Sequence, residues 1–396
     1  MTRSQWDGVL DWLVQHLASH HPNLHHSISR EAWDGKVEDL QSRLPSLNDH
    51  RAQTELMSLV ASIGDAHTIL HWEPSEVYPL RFYWFSDGLY VIKAQDKYGH
   101  LLNSRVLAIN ALSMDQLVDA VKKVIPHENE SRLRGEFPHY LIHPGILYGL
   151  GITHTPQEMQ LTCVTGDGLV QTWRVQAEPN LKRDWRDAQE PMPPQKETNA
   201  PLYLRGKEQY YWFTHLPNHE TVYFRYHRCG EHPAYPMAAF LDQLFQSVRE
   251  NGTKRLVVDL RQNRGGSSRV LAPFIPRFAA LDGINQQGRL YVLVGRETFS
   301  SALMNALQFR KYTKAIFVGE PTGGKPNSFG ETVTMELPGT DLALTHSTKY
   351  FRQSEVDSDS FVPDFVVELS HGDYAAGVDP VWDYVLSDSR RIQWRF

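Results

Sequence analysis

Cysteine is nearly absent from this sequence. Two occur in 396 residues, Cys163 and Cys229, and neither stands in a C-x-x-C pair. That argues against a disulfide framework and a thiolate metal site, and it predicts a chain at home in the reducing cytoplasm. Long apolar runs are missing as well: no window approaches the roughly 18 consecutive apolar residues of a spanning helix. The first residues, MTRSQWDGVLDWLVQHLASHH, contain neither the uninterrupted apolar stretch nor the small-residue cleavage site of a leader. Positive charge is in deficit, with 40 Lys and Arg against 46 Asp and Glu and a net charge of −6. Nucleic acid requires a concentrated basic surface, so no such partner is expected. There is no internal repeat and no low-complexity segment.

What is present is the composition of an ordinary globular protein, 41% hydrophobic and 22% charged. The length exceeds what one core supports, and the pattern divides in three. Residues 1–73 carry apolar side chains at helical spacing (Trp6, Val9, Leu10, Leu13, Leu17; Leu56, Leu59, Val60, Ile63) and form a helical cap. Residues 74–185 change to short alternating runs, among them Leu80–Phe85, Leu89–Ile92 and Leu161–Val164, with one helix from Met114 to Val124; this is a small β-rich domain. A charged, proline-rich stretch at 184–201 reads as an exposed loop. Residues 186–396 alternate strands (Thr221–Tyr226, Arg255–Leu260, Leu290–Val294, Ala315–Val318) with helices near Met237–Arg249 and Val270–Phe278, the signature of an α/β domain with largely parallel pairing.

The chemistry gathers between Gly288 and Glu331. A strand ending near Val294 feeds a short turn and then a helix opening in Thr298-Phe299-Ser300-Ser301. A helix start offers free backbone N–H groups and the positive end of the helix dipole, so a serine there is a candidate nucleophile. Lys325 follows 25 residues after Ser300, one helix and one strand later, on a Gly-Gly turn; a desolvated lysine can act as a general base. The run Gly319-Glu-Pro-Thr-Gly-Gly-Lys325 also fits the start of a phosphate-binding loop. Pro326 stands where Ser or Thr should hold magnesium and a strand follows instead of a helix, so the nucleotide reading fails. Upstream, Arg261-Gln-Asn-Arg-Gly-Gly266 follows a buried strand, and two glycines let the backbone approach a ligand. His67 is delivered by the turn that closes the cap.

Together, Asp259-Leu-Arg-Gln-Asn-Arg-Gly-Gly266, Thr298-Phe-Ser-Ser-Ala302, Gly319-Glu-Pro-Thr-Gly-Gly-Lys325 and Ile63-Gly-Asp-Ala-His-Thr68 resemble the carboxy-terminal-processing and tricorn-type serine peptidases, a group that includes the tail-specific proteases and the interphotoreceptor retinoid-binding-protein-like core. The resemblance implies a crotonase/ClpP-like spiral of ββα units in 186–396, and residues 89–152 are similar to the reduced PDZ-like module of some members. It implies Ser300 as nucleophile, and the N–H groups of Gly266 and Ser301 as the oxyanion hole. Lys325 takes the position of the base in the Ser-Lys processing proteases, but the glutamine that orients such a lysine is replaced by Phe329. The tricorn-type branch uses a histidine, which His67 matches, with an acid before a Val-x-Pro-Asp element: Asp357, or Asp359 if the loop shifts. Histidine needs no special desolvation, whereas lysine must drop about three pKa units, so the reading leans to His67 and keeps Lys325 as a site residue.

The expected activity is peptide-bond hydrolysis on a peptide or unfolded protein, without metal or organic cofactor, with a homo-oligomer left open. A catalytically idle peptide-binding or scaffolding protein is the alternative, motivated by Phe329; an acyl-CoA enzyme has only the shared fold behind it. The histidines at 16, 20, 21, 25 and 26 have no acid or cysteine beside them and read as a solvated helix end. Aromatic runs at 82–85 and 210–213 read as core.

Overall fold

A computed structural model describes residues 3–180 and 200–388 of the chain. The elements begin with helices α1 (Arg3–His20), α2 (Arg30–Arg43) and α3 (Asp49–Ala61). Strands β1 (Ile69–Trp72), β2 (Glu76–Val77), β3 (Leu80–Phe85), β4 (Gly88–Ala94), β5 (Arg105–Ile109) and β6 (Leu112–Ser113) follow. Helices α4 (Met114–Val121), α5 (Glu130–Tyr140) and α6 (Pro144–Gly149) precede β7 (Glu158–Val164), β8 (Val170–Gln176) and β9 (Glu178–Pro179). The second half runs β10 (Tyr211–Leu216), β11 (Thr221–Tyr226), α7 (Met237–Glu250), β12 (Arg255–Asp259), α8 (Ile275–Ala279), β13 (Leu290–Val294), α9 (Ser301–Tyr312) and β14 (Ile316–Gly319). It closes with β15 (Asn327–Glu336), β16 (Leu342–Arg352), β17 (Phe365–Val366), α10 (His371–Ala376) and α11 (Pro380–Ser387).

The chain divides into two compact units, one of residues 1–193 with 328–351, the other of 194–327 with 352–396. The first holds both the helical cap and the β-rich sheet. In it, β1 pairs antiparallel with β16, and β15 completes a three-stranded sheet. Leu337, Leu342 and Leu344 from this late hairpin pack with Trp6, Leu10, Leu56 and Val60 of the cap. A second sheet in the order β3-β4-β5-β7-β8 covers its own core, to which Leu117 and Val121 of α4 and Phe137 of α5 contribute. Helix α4 starts where its sequence says it should, with a capping box between Ser113 and Gln116. The 184–201 loop falls almost wholly outside the described residues.

In the second unit a six-stranded sheet runs β10-β11-β12-β13-β14-β17, with β10 antiparallel to β11 and every later pairing parallel. Strands β12 and β13 are buried along their whole length because each face is covered. Leu256, Val258 and Val292 face a cluster with Leu241, Phe278 and Phe309, while Val257, Tyr291 and Leu293 face Val381 and Val385 of α11. The helix expected at Val270–Phe278 is shorter. Pro273 and Pro276 each open a turn and cannot donate to one already running, leaving a 3₁₀ turn, Ala272–Phe274, before α8.

One buried charge stands apart in this unit. The Arg255 side chain is fully buried, lies 5.8 Å from the centroid of the Tyr291 ring, and has no hydrogen-bond partner for any guanidinium nitrogen among the described residues. A desolvated cation without an acceptor is costly, and even buried ions that are paired can often be exchanged for hydrophobic residues of similar volume with no loss or with a gain of about 1–4 kcal/mol. Arg255→Met is therefore expected to raise the melting temperature by several degrees in a calorimetric scan; an unchanged or lower value would show the charge to be compensated.

Candidate active site

Strand β12 ends in a tightly bonded loop. The backbone N–H of Asn263 donates to Leu260 O (3.0 Å) and its Nδ2 donates to Tyr226 O (2.9 Å), fastening the loop to the ends of β12 and β11. Its Oδ1 accepts from Gly265 N (2.9 Å), and its main-chain carbonyl accepts from Phe299 N (3.1 Å). One buried residue thus ties the Gly-Gly turn to the end of β11 through its side chain and to the residue before Ser300 through its main-chain carbonyl. The spacing of the motif revealed the glycines but not this role of Asn263.

The two glycines are there for steric reasons. A Cβ on Gly265 would stand 2.8 Å from Ser300 Cβ, and one on Gly266 2.2 Å from Cys229 O, with φ of +103° and +130° in the same residues. Cys229 N donates to Gly265 O (3.0 Å) and Ser267 N donates to Cys229 O (2.7 Å). This parallel bridge leaves the N–H and C=O of Gly266 itself outside the pairing. The Gly266 carbonyl accepts from Ser301 Oγ (2.7 Å), so the turn and the first residue of α9 are held together.

Between them lies Ser300, with φ +52° and ψ −126°. Those angles belong to the first central position of a II′ turn, which glycine normally occupies. Neighbours impose them. Thr298 Oγ1 donates to Leu260 O (2.8 Å), Thr298 N donates to Gly295 O (2.8 Å), and Gly324 N donates to Thr298 O (3.2 Å). The helix expected to open at Thr298 consequently begins at Ser301, because Ser300 has non-helical angles and the Thr298 carbonyl is already taken by Gly324 N. Ser300 is half-buried and Gly266 exposed, so an incoming group can reach both.

Lys325 and Asp357 meet in the same unit, Nζ donating to Oδ2 at 3.1 Å. Asn327 Nδ2 donates to the other carboxylate oxygen at 3.4 Å and its Oδ1 accepts from Gln353 N and Ser354 N at 2.9 Å, holding the 353–357 loop. The Asp357 side chain is 62% exposed. A lysine base must be desolvated and lack an anionic partner; Lys325 faces a carboxylate. Asp359, the other acid considered, is exposed.

His67 belongs to the first unit, in the turn after α3. Asp65 organises that turn. Buried and charged, it accepts from the backbone N–H of His67 (2.9 Å), from Thr68 Oγ1 (2.5 Å), from Ser347 Oγ of β16 (2.7 Å) and pairs with His21 Nε2 (3.1 Å). Burial alone would raise its pKa; the hydrogen bond with His21, the charge interaction with His67 and the two hydroxyls hold it at about 2. His67 Nδ1 lies 4.0 Å from Asp65 Oδ1. Burial lowers the pKa of His67 to about 4, Asp65 opposing and Arg132 adding to the effect, so the ring is neutral at pH 7. Phe329 packs against the rings of His21 and His26, with centroids 5.0 and 4.5 Å away, rather than against an amine.

In the second unit a parallel α/β sheet carries a serine forced into a glycine-like conformation at a helix start, with a glycine loop pressed against it. Residues 276–367, which carry the serine turn and the Gly-Gly-Lys loop, match the model of peptidase family S41, the family to which the carboxy-terminal-processing enzymes belong. No curated protein matches the sequence. Among solved structures, mature CPAF complexed with lactacystin is similar over 98% of both chains, with 12% identity and a TM-score of 0.68. A CPAF mutant covers 97% of this chain and 96% of its own at 11% identity and a TM-score of 0.69. A peptidase of Parabacteroides merdae described as putative in name covers 99% of both at 13% identity and 0.50. At these identities the likeness is one of fold.

Proposed function

We propose that Ser300 is the nucleophile of a peptide-bond hydrolase, with the N–H groups of Gly266 and Ser301 as its oxyanion hole and His67 as its general base. The backbone of Ser300 carries this reading: strain of about 1–3 kcal/mol is retained where a side chain must be presented from a helix start. In the reaction Ser300 Oγ attacks the peptide carbonyl carbon and its proton passes to neutral His67. The carbonyl oxygen, now negative, is held by the two amides, and the proton goes on to the departing amine. Water then attacks the acyl-serine with His67 again taking the proton, which releases the acid and restores Ser300.

Asp357, held by Lys325 and Asn327, serves as the acid of the site, with Lys325 as its cationic partner rather than as the base. The six-stranded sheet corresponds in this reading to a crotonase/ClpP-like core, and the β3–β8 sheet to a reduced PDZ-like module that takes an extended peptide by strand addition. The chain acts in the cytoplasm on peptide or unfolded protein, with no nucleic acid involved and self-association left to solution measurement.

Labelling by a fluorophosphonate probe tests the proposal. One adduct, mapped by mass spectrometry to Ser300 and absent from Ser300→Ala, is expected; a wild-type chain that takes up no probe is instead a peptide-binding scaffold. Asn263→Ala, which frees the Gly265 turn from the end of β11, should lower kcat by roughly 10²-fold, the scale of losing one oxyanion donor, with little change in KM. A rise in KM at constant kcat would put Asn263 in substrate binding instead.

A further inference from the structure

Three consecutive side chains fasten the loop between β12 and the Gly-Gly turn, all within the second unit. Asn263 reaches Tyr226 O at the end of β11. Gln262 Oε1 accepts from Nη2 of Arg225, also on β11, at 2.7 Å. Arg261 grips two carboxyl groups at once. Its Nε and Nη2 donate to Oδ2 of Asp259, the last residue of β12, at 3.1 and 2.7 Å. Its Nη1 and Nη2 donate to Oδ1 and Oδ2 of Asp379 at 2.8 Å each. Asp379 in turn caps α11, Oδ1 accepting from Val381 N and Trp382 N at 3.2 Å.

Asp259 is fully buried. Burial alone would raise its pKa; the charges of Arg261 and Arg225 hold it below the usual carboxylate range, so it is ionised at neutral pH. Arg225 Nη1 lies 3.2 Å from its Oδ2, which also accepts from the hydroxyl of Tyr223. Buried ion pairs are a weak source of stability, because the cost of taking both charges out of water offsets most of their attraction. What this one supplies is geometry. A planar guanidinium that spends four of its five N–H groups on two carboxyl groups admits one arrangement of all three side chains. Two residues further on, Asn263 passes that arrangement to Gly265 N through Oδ1.

We propose that Arg261 is a positioning residue of the hydrolase, and that Asp379 makes α11 part of the support of its oxyanion hole. The inference rests on the reading of Ser300 as nucleophile and Gly266 as oxyanion donor. Arg261 acts through the loop and does not touch the reacting atoms. It fixes the start of the 261–266 loop against β12 and α11, Asn263 fixes the middle, and the bond from Ser301 Oγ to Gly266 O fixes the far end. The Gly266 N–H then keeps one direction as charge develops on the carbonyl oxygen, with no reorganisation required at that moment.

The test is the rate at which the full chain takes up a fluorophosphonate probe, whose P=O oxygen stands in for the carbonyl oxygen. Arg261→Lys keeps the charge but not the two-sided grip. Asp379→Asn keeps the Oδ1 cap of α11 and turns an N–H towards Arg261. Each should lower the maximal labelling rate at Ser300 roughly tenfold, less than the roughly 10²–10³-fold of losing an oxyanion donor outright. The probe concentration giving half the maximal rate should not change, and circular dichroism should report an intact fold. In Arg261→Ala, millimolar guanidinium chloride should restore the rate several-fold, and it should do nothing for Asn263→Ala. Wild-type rates in folded Arg261→Lys or Asp379→Asn overturn the inference, as does an effect confined to the half-saturating concentration or an absence of guanidinium rescue. A wild-type chain that takes up no probe removes Ser300 as nucleophile and this role with it; a labelled wild type beside equally labelled variants removes the role of Arg261 alone.

Discussion

Ser300→Ala is expected to lose roughly 10⁵–10⁶-fold in kcat for peptide hydrolysis, the scale seen when a serine nucleophile is removed from a preorganised site. Stability offers a second reading of the same position. Alanine inherits φ +52° and ψ −126° with the same Cβ, so the strain persists. Ser300→Gly should be equally inactive yet more stable than Ser300→Ala by about 1 kcal/mol, because glycine adopts those angles without penalty. Paired thermal melts measure the difference. Equal melting temperatures would mean that the strain has been released elsewhere, and retained hydrolysis in either variant would remove Ser300 from the mechanism.

His67→Ala should cost roughly 10⁴–10⁶-fold in kcat, as loss of a triad histidine does. Lys325→Ala should stay within about tenfold, since an exposed ion pair contributes about 1 kcal/mol or less. The reverse ranking would restore the lysine as base. The pH profile separates the two independently. With its pKa lowered by burial to about 4, His67 takes up a proton only in acid, so kcat/KM should be flat at neutral pH and fall with a midpoint near 4; a lysine base would give a rate that climbs into the alkaline range. Stability follows the same sign. The folded ring binds its proton less readily than the unfolded chain, whose histidine titrates near 6.5, so this group's contribution is fully present above 6.5 and is lost as pH falls towards 4, roughly 3 kcal/mol in all. Short assays below the unfolding threshold keep the two effects apart.

Much of this was legible in the sequence, for identifiable reasons. Strands β11 and β13 lie where their apolar runs placed them because burial on both faces leaves an uninterrupted hydrophobic signal. The turn around Ser300 was legible as strand, turn and helix. Its backbone strain was not, because a serine before a helix looks like an ordinary cap, and the angles come from bonds to Asn263 and Gly324. The work of Asp65 was hidden for a related reason: His21 lies 44 positions away and Ser347 282. Proline shortened α8 where periodicity alone had extended it.

Hairpin β15–β16 has a consequence for how the protein is made. It belongs to the first unit although it is encoded inside the second, after Ser300. On the ribosome, where chains emerge N-terminus first at about 5–20 residues per second, β1 waits without its partner strand and Asp65 without Ser347 until more than two hundred further residues have been translated. The turn around His67 is thus among the last parts of its unit to be completed. In the proposed mechanism a polypeptide released early would carry neither the finished His67 turn nor, before residue 300, the serine, so proteolytic capacity would arrive only with the nearly complete molecule.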